Sequence, residues 1–591
     1  HTAPGHGTDD YFTGIREGLD IYCPVQAEGT YDETVPDWLQ GLSVWEANPV
    51  VVERLRASGH LLHHHDYQHS YPHDWRSGSP VIFRSTEQWF ISVNEPTKSH
   101  GTSLREKAMA ATASDINFVP EWGRNRMRGM LESRPDWCIS RQRSWGLPIP
   151  AFIMPDGEMV LTAASTRAVS QAIGQRGSDA WFSETPAQLL EHWDVAGDPD
   201  APEGLKVDQL AKAYDIFDVW FESGSSWNAV MRRRGLGYPV DLYLEGSDQH
   251  RGWFQLSLLP GIGVTGTSPF KTVITHGFVN DRQGRKMSKS EGNTLDVGTL
   301  LESHGADVCR WWVSSLAYEN DVRADDELLQ LAGESYRKVR NTLRFLLSNL
   351  GDFDPSDMEA TDVPSTSIDG WALAEAARFQ AEVRAAYDRF DFRRVHLALF
   401  DFCNEALSAI YCVAVKDRLY CDRVDAPRRR RTQRVLHEIA SMLCRLLAPI
   451  LPHTADEAWR DLYGEDACVH MEAFKDIDVQ ADANWPKARK VRDDVLKALE
   501  EAKASGIEKP LDAGVVIPDP KGDLKAFEPE LADLIGVSRA TVDTTAEAIA
   551  IQDLRDQPAC ERSWRRDATV SERANGSMLS DRDWEAIQAS G

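Results

Sequence analysis

The spacing of apolar positions changes near residue 325, and the two patterns predict two kinds of structure. Between residues 80 and 312, short β-branched or apolar runs alternate with helical windows. Runs of this length are typical of buried strands, and their alternation with helices indicates a parallel α/β sheet. The clearest runs are 81–83, 242–244 and 273–275.

Beyond residue 325, apolar residues recur at the 3.6-residue spacing of amphipathic helices. Pro and Asp-rich breaks separate several of these windows, so the stretch predicts a helical bundle. The windows are 334–350, 371–390, 392–417 and 433–448, followed by one more helix at 490–504 and an apolar run at 515–517.

These patterns predict a multidomain chain, α/β followed by all-α, with a small α+β region at the end. We expect a loop-rich segment at 1–70, an α/β domain at 71–325, a helical domain at 326–485 and the α+β region at 486–591. A weakly patterned acidic stretch at about 154–207 is interpreted as an insertion. A length of 591 residues fits several domains of roughly 100–200 residues each.

Composition narrows the class of protein. The chain is 42% hydrophobic and 27% charged, which excludes wholesale disorder and collagen-like structure. No run approaches the ~18 apolar residues of a membrane span, and no signal segment opens the chain, so we expect a cytoplasmic protein without a membrane partner. The net charge of -27 by itself argues against a nucleic-acid partner. The nine cysteines contain no C-x-x-C pair, and reduced thiols are the prediction.

A glycine-flanked phrase at 284–293 carries the strongest chemical signal, with Lys286 and Lys289 separated by small residues. Such a mobile cationic loop can close on a polyphosphate and stabilise charge that develops during transfer. For a lysine pair of no particular sequence, a solvated surface loop would be the better interpretation.

Two turns follow predicted strands. Glu245, Gly246, Asp248 and Gln249 come directly after the run at 242–244, and a second turn, with His276 and Gly277, follows 273–275. Polar groups at the carboxyl ends of strands lie where parallel α/β sheets bind ligands. Carboxylates there can accept hydrogen bonds from an ammonium group or ribose hydroxyls, and Gly246 allows close approach to the backbone.

Together these phrases resemble a known family. The loop at 284–293 resembles the lysine loop of class I aminoacyl-tRNA synthetases, and 136–146 resembles a phrase shared by their isoleucyl, valyl and leucyl members. The stretches 218–224 and 245–254 are similar to bacterial isoleucyl enzymes in particular. The resemblance implies a Rossmann-like nucleotide fold, a helical anticodon-binding domain and a C-terminal tRNA-contacting region.

The resemblance also implies roles for individual residues. Glu245 holds the aminoacyl-adenylate, with Asp248 and Gln249 beside it, and Trp220 and Trp253 form walls of the isoleucine side-chain pocket. The loop and the second turn complete the implied site: Lys286 and Lys289 close over the phosphates of ATP, which brings Mg²⁺, and His276 with Gly277 lies near the adenine end.

Residues 1–11 resemble the editing phrase of the same family, which implies that 1–70 belongs to a β-rich editing insert. An isoleucine pocket rejects valine by only about 1–3 kcal/mol, and this amino-acid pair is the standard example of that limit. Hydrolysis of valyl-tRNA at a second site supplies the remaining discrimination. Asp10 matches the carboxylate that holds the substrate amino group, with His1 a weaker candidate beside it.

Two regions of the sequence bear on zinc binding. Residues 560–563 and 580–583 lie where many bacterial relatives carry two C-x-x-C pairs, but only Cys560 of those four cysteines is present. One thiolate cannot hold a tetrahedral zinc ion, so we predict no metal there. The histidines at 63–65, 69 and 73 show no fixed ligand spacing and are interpreted as a solvated linker.

Local basic clusters qualify the acidic net charge. Arg337, Arg340 and Arg344 share one predicted helical face, and residues 428–431 are four consecutive arginines. Both lie in the region that resembles the anticodon-binding bundle, so we expect them to contact tRNA. A third cluster, Arg562, Arg565 and Arg566, is interpreted as a solvated surface.

The favoured hypothesis is an isoleucine–tRNA ligase that uses ATP, L-isoleucine and tRNA(Ile) and acts as a monomer. Two alternatives stay open: a valyl or leucyl enzyme, and a synthetase-like module that holds tRNA without catalysis. The second draws on the absence of the family's His-x-Gly-His phrase. We expect instead that the chain starts partway through the editing insert and forms no adenylate by itself.

Overall fold

The computed structural model describes residues 1–74, 77–98, 100–143, 145–287, 292–357 and 362–590. These residues form two compact units. The first comprises 1–117, 124–242 and 249–271, and the second comprises 118–123, 243–248 and 272–591.

The helices α1–α9 lie almost entirely in the first unit. They are Thr8–Glu17, Val44–Ala57, Leu104–Ser114, Trp122–Glu132, Ala163–Arg176, Ala180–Ser183, Pro186–Leu189, Val219–Gly224 and Trp253–Thr265. Helices α2 and α3 begin with capping boxes, in which Ser43 pairs with Glu46 and Ser103 with Glu106. These reciprocal bonds satisfy backbone groups that the first helical turn leaves unpaired.

The helices α10–α20 lie in the second unit. They are Val297–His304, Ala306–Ser314, Asp326–Ser348, Ile368–Asp388, Phe392–Asp401, Cys412–Cys421, Pro427–Leu447, Pro452–Tyr463, Trp485–Ala502, Glu528–Ile535 and Asp581–Ser590. A π-helical segment, Phe402–Tyr411, joins α14 to α15. The helical windows predicted beyond residue 325 are confirmed, with ends that differ by a few residues because caps, rather than apolar spacing, decide them.

The strands β1–β17 are mostly short. They are Phe90–Ile91, Asn117–Val119, Trp137–Cys138, Ser140–Arg141, Phe152–Ile153, Met159–Val160, Ala211–Lys212, Ile216–Phe217, Val240–Gly246, Phe270–His276, Val279–Asn280, Val322–Arg323, Ala513–Pro518, Arg539–Asp543, Ala550–Asp553, Ser571–Glu572 and Met578–Leu579. β9 and β10 lie side by side in the order β2-β10-β9. The C-terminal sheet has β13 at its centre, parallel to β14 and antiparallel to β15.

The strand predicted at 81–83 does not form, and that expectation is wrong. The backbone there bonds to irregular segments: the N–H of Val81 donates to Pro72, and the carbonyl of Phe83 lies 3.0 Å from Nδ1 of His6. A β-branched run without a neighbouring strand has no ladder to join. Residues 1–70, all of which are described, form α1, α2 and isolated bridges such as Val25 with Tyr31.

The stretch interpreted as an insertion has a core of its own. Phe152, Trp181 and Trp193 pack there with residues of α5 and α7. The indole of Trp181 is fully buried and donates to the carbonyl of Ala213 at 3.0 Å. The segment is therefore a small packed body within the first unit.

The second unit has one continuous core that runs from Trp311 through the helical bundle to the C-terminal sheet. Among the described residues, the run Phe392–Cys421 is long and apolar enough to cross a membrane by length and composition alone. Half of that window is buried in this core, and core helices pass the same test, so it gives no support for a membrane span.

Candidate functional site

The turn at the end of β9 places a carboxylate at the edge of the sheet in the second unit. The Glu245 carboxylate accepts the N–H of Gly246 at 3.1 Å. Its Oε2 also lies 4.0 Å from Nε2 of His276, at the end of the neighbouring strand β10. Both side chains are partly open to solvent, and Asp248 is exposed beside them along the chain. The structure thus brings Glu245 and His276 together, as expected for one binding edge.

Glycine is required at 277 by a close approach of two backbones. A β-carbon there would lie 2.1 Å from the carbonyl of Asn320, a distance that no side chain permits. The N–H of Gly277 donates to the carbonyl of Tyr318 at 2.8 Å. At 246 the space is less tight, with Asp248 at 3.1 Å and the Phe278 ring at 3.4 Å from a β-carbon. The segment leading to α12 therefore fixes the end of β10.

The base of the lysine loop is held by a buried aspartate that the sequence pattern did not single out. Asp281 accepts the backbone N–H of Arg285 at 2.8 Å and the side-chain amide of Asn293 at 3.0 Å. These hydrogen bonds, with the Arg285 guanidinium, lower the pKa of Asp281 below its usual range. Lys286, five residues after Asp281, is exposed to solvent. Lys289 lies outside the described residues.

The two tryptophans with an implied pocket role lie in the first unit. The indole of Trp253 donates to the carbonyl of Ser223 at 3.0 Å, and its backbone N–H donates to the side-chain oxygen of Gln249 at 3.0 Å. A β-carbon on Gly252 would lie 3.4 Å from the ring of Trp220. Trp220 is 36% exposed, and Trp253 is half-buried. These rings and Gln249 are therefore held at one place and remain accessible.

Close helix packing and one cap position these tryptophans. A β-carbon on Gly224 would lie 2.1 Å from the carbonyl of Leu256, so α8 and α9 touch backbone to backbone. Buried Asp218 caps α8 at the N–H of Trp220 and accepts the indole of Trp137 at 3.1 Å. An aspartate directly before a helix is the local signal of such a cap.

The carboxylate implied in editing lies on the first turn of α1. Asp10 is half-buried and accepts the N–H of Ala3 at 3.0 Å, which folds the first residues back onto the helix. His1 is exposed at the end of this fold. One oxygen of Asp10 is thus committed to the backbone.

The four arginines at 428–431 do not form an open basic surface. Arg428 pairs with Asp422 at 2.7 Å, and Arg429 pairs with Asp352 at 2.5 Å. Arg430 also lies at Asp352, while Arg431 bonds to Asp369 and Glu530 at 2.8 and 2.7 Å. The expectation that this cluster contacts tRNA is therefore not supported, because carboxylates distant in sequence neutralise it.

The third cluster is likewise not a solvated surface. Arg565 pairs with buried Asp533 at 2.5 Å, and Arg566 pairs with Asp512 at 2.9 Å. Arg562 donates to the carbonyl of Tyr420 at 2.9 Å. Arg565 and Arg566 thus pair within the C-terminal region, and Arg562 joins that region to α15.

The arginines of α12 remain exposed. Arg337, Arg340 and Arg344 lie on the solvent face of this helix and form no ion pair within the described part of the chain. Beside Arg340 and Arg344 is a groove of about 1210 Å³ whose lining is of mixed charge: it includes Arg460 and the carboxylates Asp456, Glu457, Asp461 and Glu465. This face can accept phosphate groups without first breaking internal bonds.

Comparison with known families agrees with this architecture. Residues 25–325 match the family of class I tRNA synthetases (I, L, M and V), and residues 369–517 match the anticodon-binding domain of tRNA ligases. The first match covers just over half of the chain. The chain belongs to the class I tRNA synthetases.

Individual isoleucine–tRNA ligases are similar in sequence to almost the whole chain. The chain is 40% identical to an isoleucine–tRNA ligase of Kosmotoga olearia, over 96% of this chain and 62% of that protein. It is 41% identical to the isoleucine–tRNA ligase of Geobacter sulfurreducens, over 95% of this chain and 60% of that protein. The chain thus spans about three fifths of the length of these relatives.

A solved structure is similar over a smaller part. Methionyl-tRNA synthetase of Mycobacterium tuberculosis, in complex with methionyl-adenylate, is 21% identical with a TM-score of 0.40. The match covers 65% of this chain and 64% of that one.

Proposed function

We propose that the protein is an isoleucine–tRNA ligase, which activates L-isoleucine with ATP and transfers it to tRNA(Ile). The observation that carries this proposal is the identity of about 40%, along almost the whole chain, to proteins named isoleucine–tRNA ligase. The phrases at 218–224 and 245–254, which resemble isoleucyl enzymes in particular, favour isoleucine over valine or leucine. The enzyme is proposed to work as a monomer in the cytoplasm.

The proposed chemistry takes the roles that the family resemblance implies for these residues. The isoleucine carboxylate attacks the α-phosphate of ATP, a new C–O–P bond forms, and pyrophosphate leaves. Glu245 accepts hydrogen bonds from the adenylate, and Trp220 and Trp253 contact the isoleucine side chain. Lys286 and Lys289 stabilise the charge that builds on the leaving phosphates, with Mg²⁺ bound to ATP as part of the substrate.

A second activity, hydrolysis of valyl-tRNA(Ile), is proposed for the first unit. The placement of Asp10 supports this proposal. One oxygen of its half-buried carboxylate accepts the N–H of Ala3, and within the described residues the other oxygen accepts no hydrogen bond. That oxygen can accept the free amino group of a misattached valine. His1 is proposed to lie beside the bound substrate.

The test is ATP–pyrophosphate exchange with the protein expressed from its complete reading frame, because the named relatives are longer than this chain. Exchange should be fastest with isoleucine, and Lys286→Ala should lower kcat by roughly 100-fold or more. Lys271→Ala is the matched control, since Lys271 is an exposed lysine paired with Asp241. Faster exchange with valine or leucine would contradict the assignment, and tRNA binding without any exchange would favour the non-catalytic module.

A further inference from the structure

Residues 559–590 form a small closed knuckle built around one carboxylate. Ala559 bridges to Arg566, β16 pairs with β17, and α20 begins directly after Ser580. Cys560, Val570 and Leu579 form its apolar interior. The family resemblance implies a zinc ion at this place, held by four cysteines in two C-x-x-C pairs.

The four positions of that implied site do meet in this protein, with other side chains. They are Cys560, Ser563, Ser580 and Asp583. One oxygen of Asp583 accepts three hydrogen bonds: the Cys560 thiol at 2.9 Å and the two serine hydroxyls at 2.7 Å each. Asp583 and Cys560 are fully buried.

This donor set does not fit zinc. Zinc requires deprotonated ligands, typically thiolates and imidazoles, whereas here two of the four groups are serine hydroxyls. The Arg582 guanidinium lies 3.2 Å from the Asp583 carboxylate and would repel a cation. Within the described residues, no group of three or more His, Cys, Asp or Glu side chains is placed to hold a metal ion.

We propose that the Asp583 carboxylate takes the place of the metal, so that three hydrogen bonds close the knuckle without zinc. Burial alone would raise the pKa of Asp583, but the bonds from Cys560 and the serines, with the charge of Arg582, lower it below its usual range. The carboxylate is therefore ionised at neutral pH, and ionised acceptors form the stronger hydrogen bonds.

The closed knuckle positions the chain end against the helical domain. Arg582, next to the central carboxylate, donates to Asp417 of α15 at 2.6 Å. Arg562, two residues after Cys560, donates to the carbonyl of Tyr420 at 2.9 Å. Asp583 is in this sense a positioning residue: it orients two arginines that bind α15.

Converting the site back to cysteines tests the proposal most directly. The triple variant Ser563→Cys, Ser580→Cys, Asp583→Cys combines with the native Cys560 to give four thiols at convergent positions. We expect this variant to bind one zinc ion per chain, as measured by elemental analysis. Its unfolding midpoint should fall when a chelator is added. The unaltered protein should contain less than a tenth of an equivalent of zinc and keep the same midpoint with or without chelator.

Asp583→Ala, compared with Asp581→Ala, tests the carboxylate itself. Asp581 is the matched control because it lies two residues away and pairs with Arg573 at the surface. Asp583→Ala should lower the unfolding midpoint and speed hydrogen exchange of 559–590, while Asp581→Ala should change neither appreciably.

Three results would overturn the proposal. One is stoichiometric zinc in the unaltered protein, with a midpoint that falls on chelation. Another is failure of the four-thiol variant to take up zinc, which would show that the four positions do not converge. The third is an equal effect of the two alanine variants. If Asp583→Ala does not fold, the zinc content of the other two proteins still decides the question.

Discussion

Two arginine-rich stretches of the helical domain, 428–431 and 337–344, have different surroundings. The arginines that open α16, at 428–431, are partly buried and paired with carboxylates from four other segments. The arginines of α12 project into solvent. A run of positive charge is therefore no measure of an RNA-binding surface, because most of the partners here, Asp352, Asp369 and Glu530, lie 62 to 99 residues away in sequence.

The arginines at 428–431 share carboxylate partners with a more deeply buried arginine, Arg418. Arg418 of α15 is fully buried and reaches Asp369 at 3.2 Å, Glu530 at 2.8 Å and Asp533 at 2.5 Å. These carboxylates come from α13 and α19, so the network joins the bundle to the C-terminal region. Charges desolvated to this degree persist only when they are fully paired.

The largest effect is expected from Arg418→Met. The substitution leaves buried carboxylates with one cation fewer, so the second unit should lose about 3–5 kcal/mol of unfolding free energy. Urea denaturation followed by circular dichroism measures this loss. Arg340→Met on α12 is the control, and its change should stay within about 0.5 kcal/mol. Equal losses in both variants would mean that the buried network around Arg418 does not stabilise the second unit as described.

Binding of tRNA should depend on the arginines of α12 and not on those of α16. Replacing Arg337, Arg340 and Arg344 together by glutamine should weaken binding of tRNA about tenfold or more. The slope of log affinity against log salt should fall by about 2 to 3, because three phosphate contacts no longer release counterions. Filter binding over a salt series measures both quantities. Arg429→Gln serves as the matched comparison and should leave the salt slope unchanged, and a reduced slope there would return the α16 cluster to the RNA interface.

A smaller, pH-dependent effect should follow from Asp533. Burial alone would raise the pKa of Asp533, but the Arg418 guanidinium, with Arg565 and Arg428, lowers it below its usual range. A carboxylate with a lowered folded pKa stabilises the fold fully above its unfolded pKa of about 3.9 and loses that contribution as the pH falls through the folded pKa. Asp533→Asn should therefore be less stable than the parent at neutral pH, and the difference should shrink below about pH 4. Denaturation midpoints over a pH series measure this, and a difference that is constant with pH would contradict it.

Local patterns in the sequence predicted what depends on local physics. Apolar spacing placed the helices from α12 to α16, and the absence of three cysteines ruled out a four-thiolate zinc site. The position of Glu245 near the carboxyl end of a strand was also predicted, although that strand continues to Gly246 instead of ending at 244. The roles of the site residues, Lys289 among them, stay predictions.

Contacts between residues distant in sequence limited what the sequence could predict. Nothing local shows that Asp352 neutralises Arg429, because the two residues lie 77 apart in sequence and meet only once the chain is folded. The run at 81–83 has the composition of a strand but no neighbour to pair with. Likewise, the sequence places Asp583 where relatives carry a cysteine, but only the fold makes its carboxylate a central hydrogen-bond acceptor.

The metal-free closure of the knuckle has a kinetic consequence. A zinc-bound closure requires the chain to capture an ion, so its completion is second order and depends on the metal supply. Here the donors and the acceptor belong to one chain, and closure is a unimolecular event. The last segment of this protein should therefore fold at the same rate in zinc-starved and zinc-replete cells.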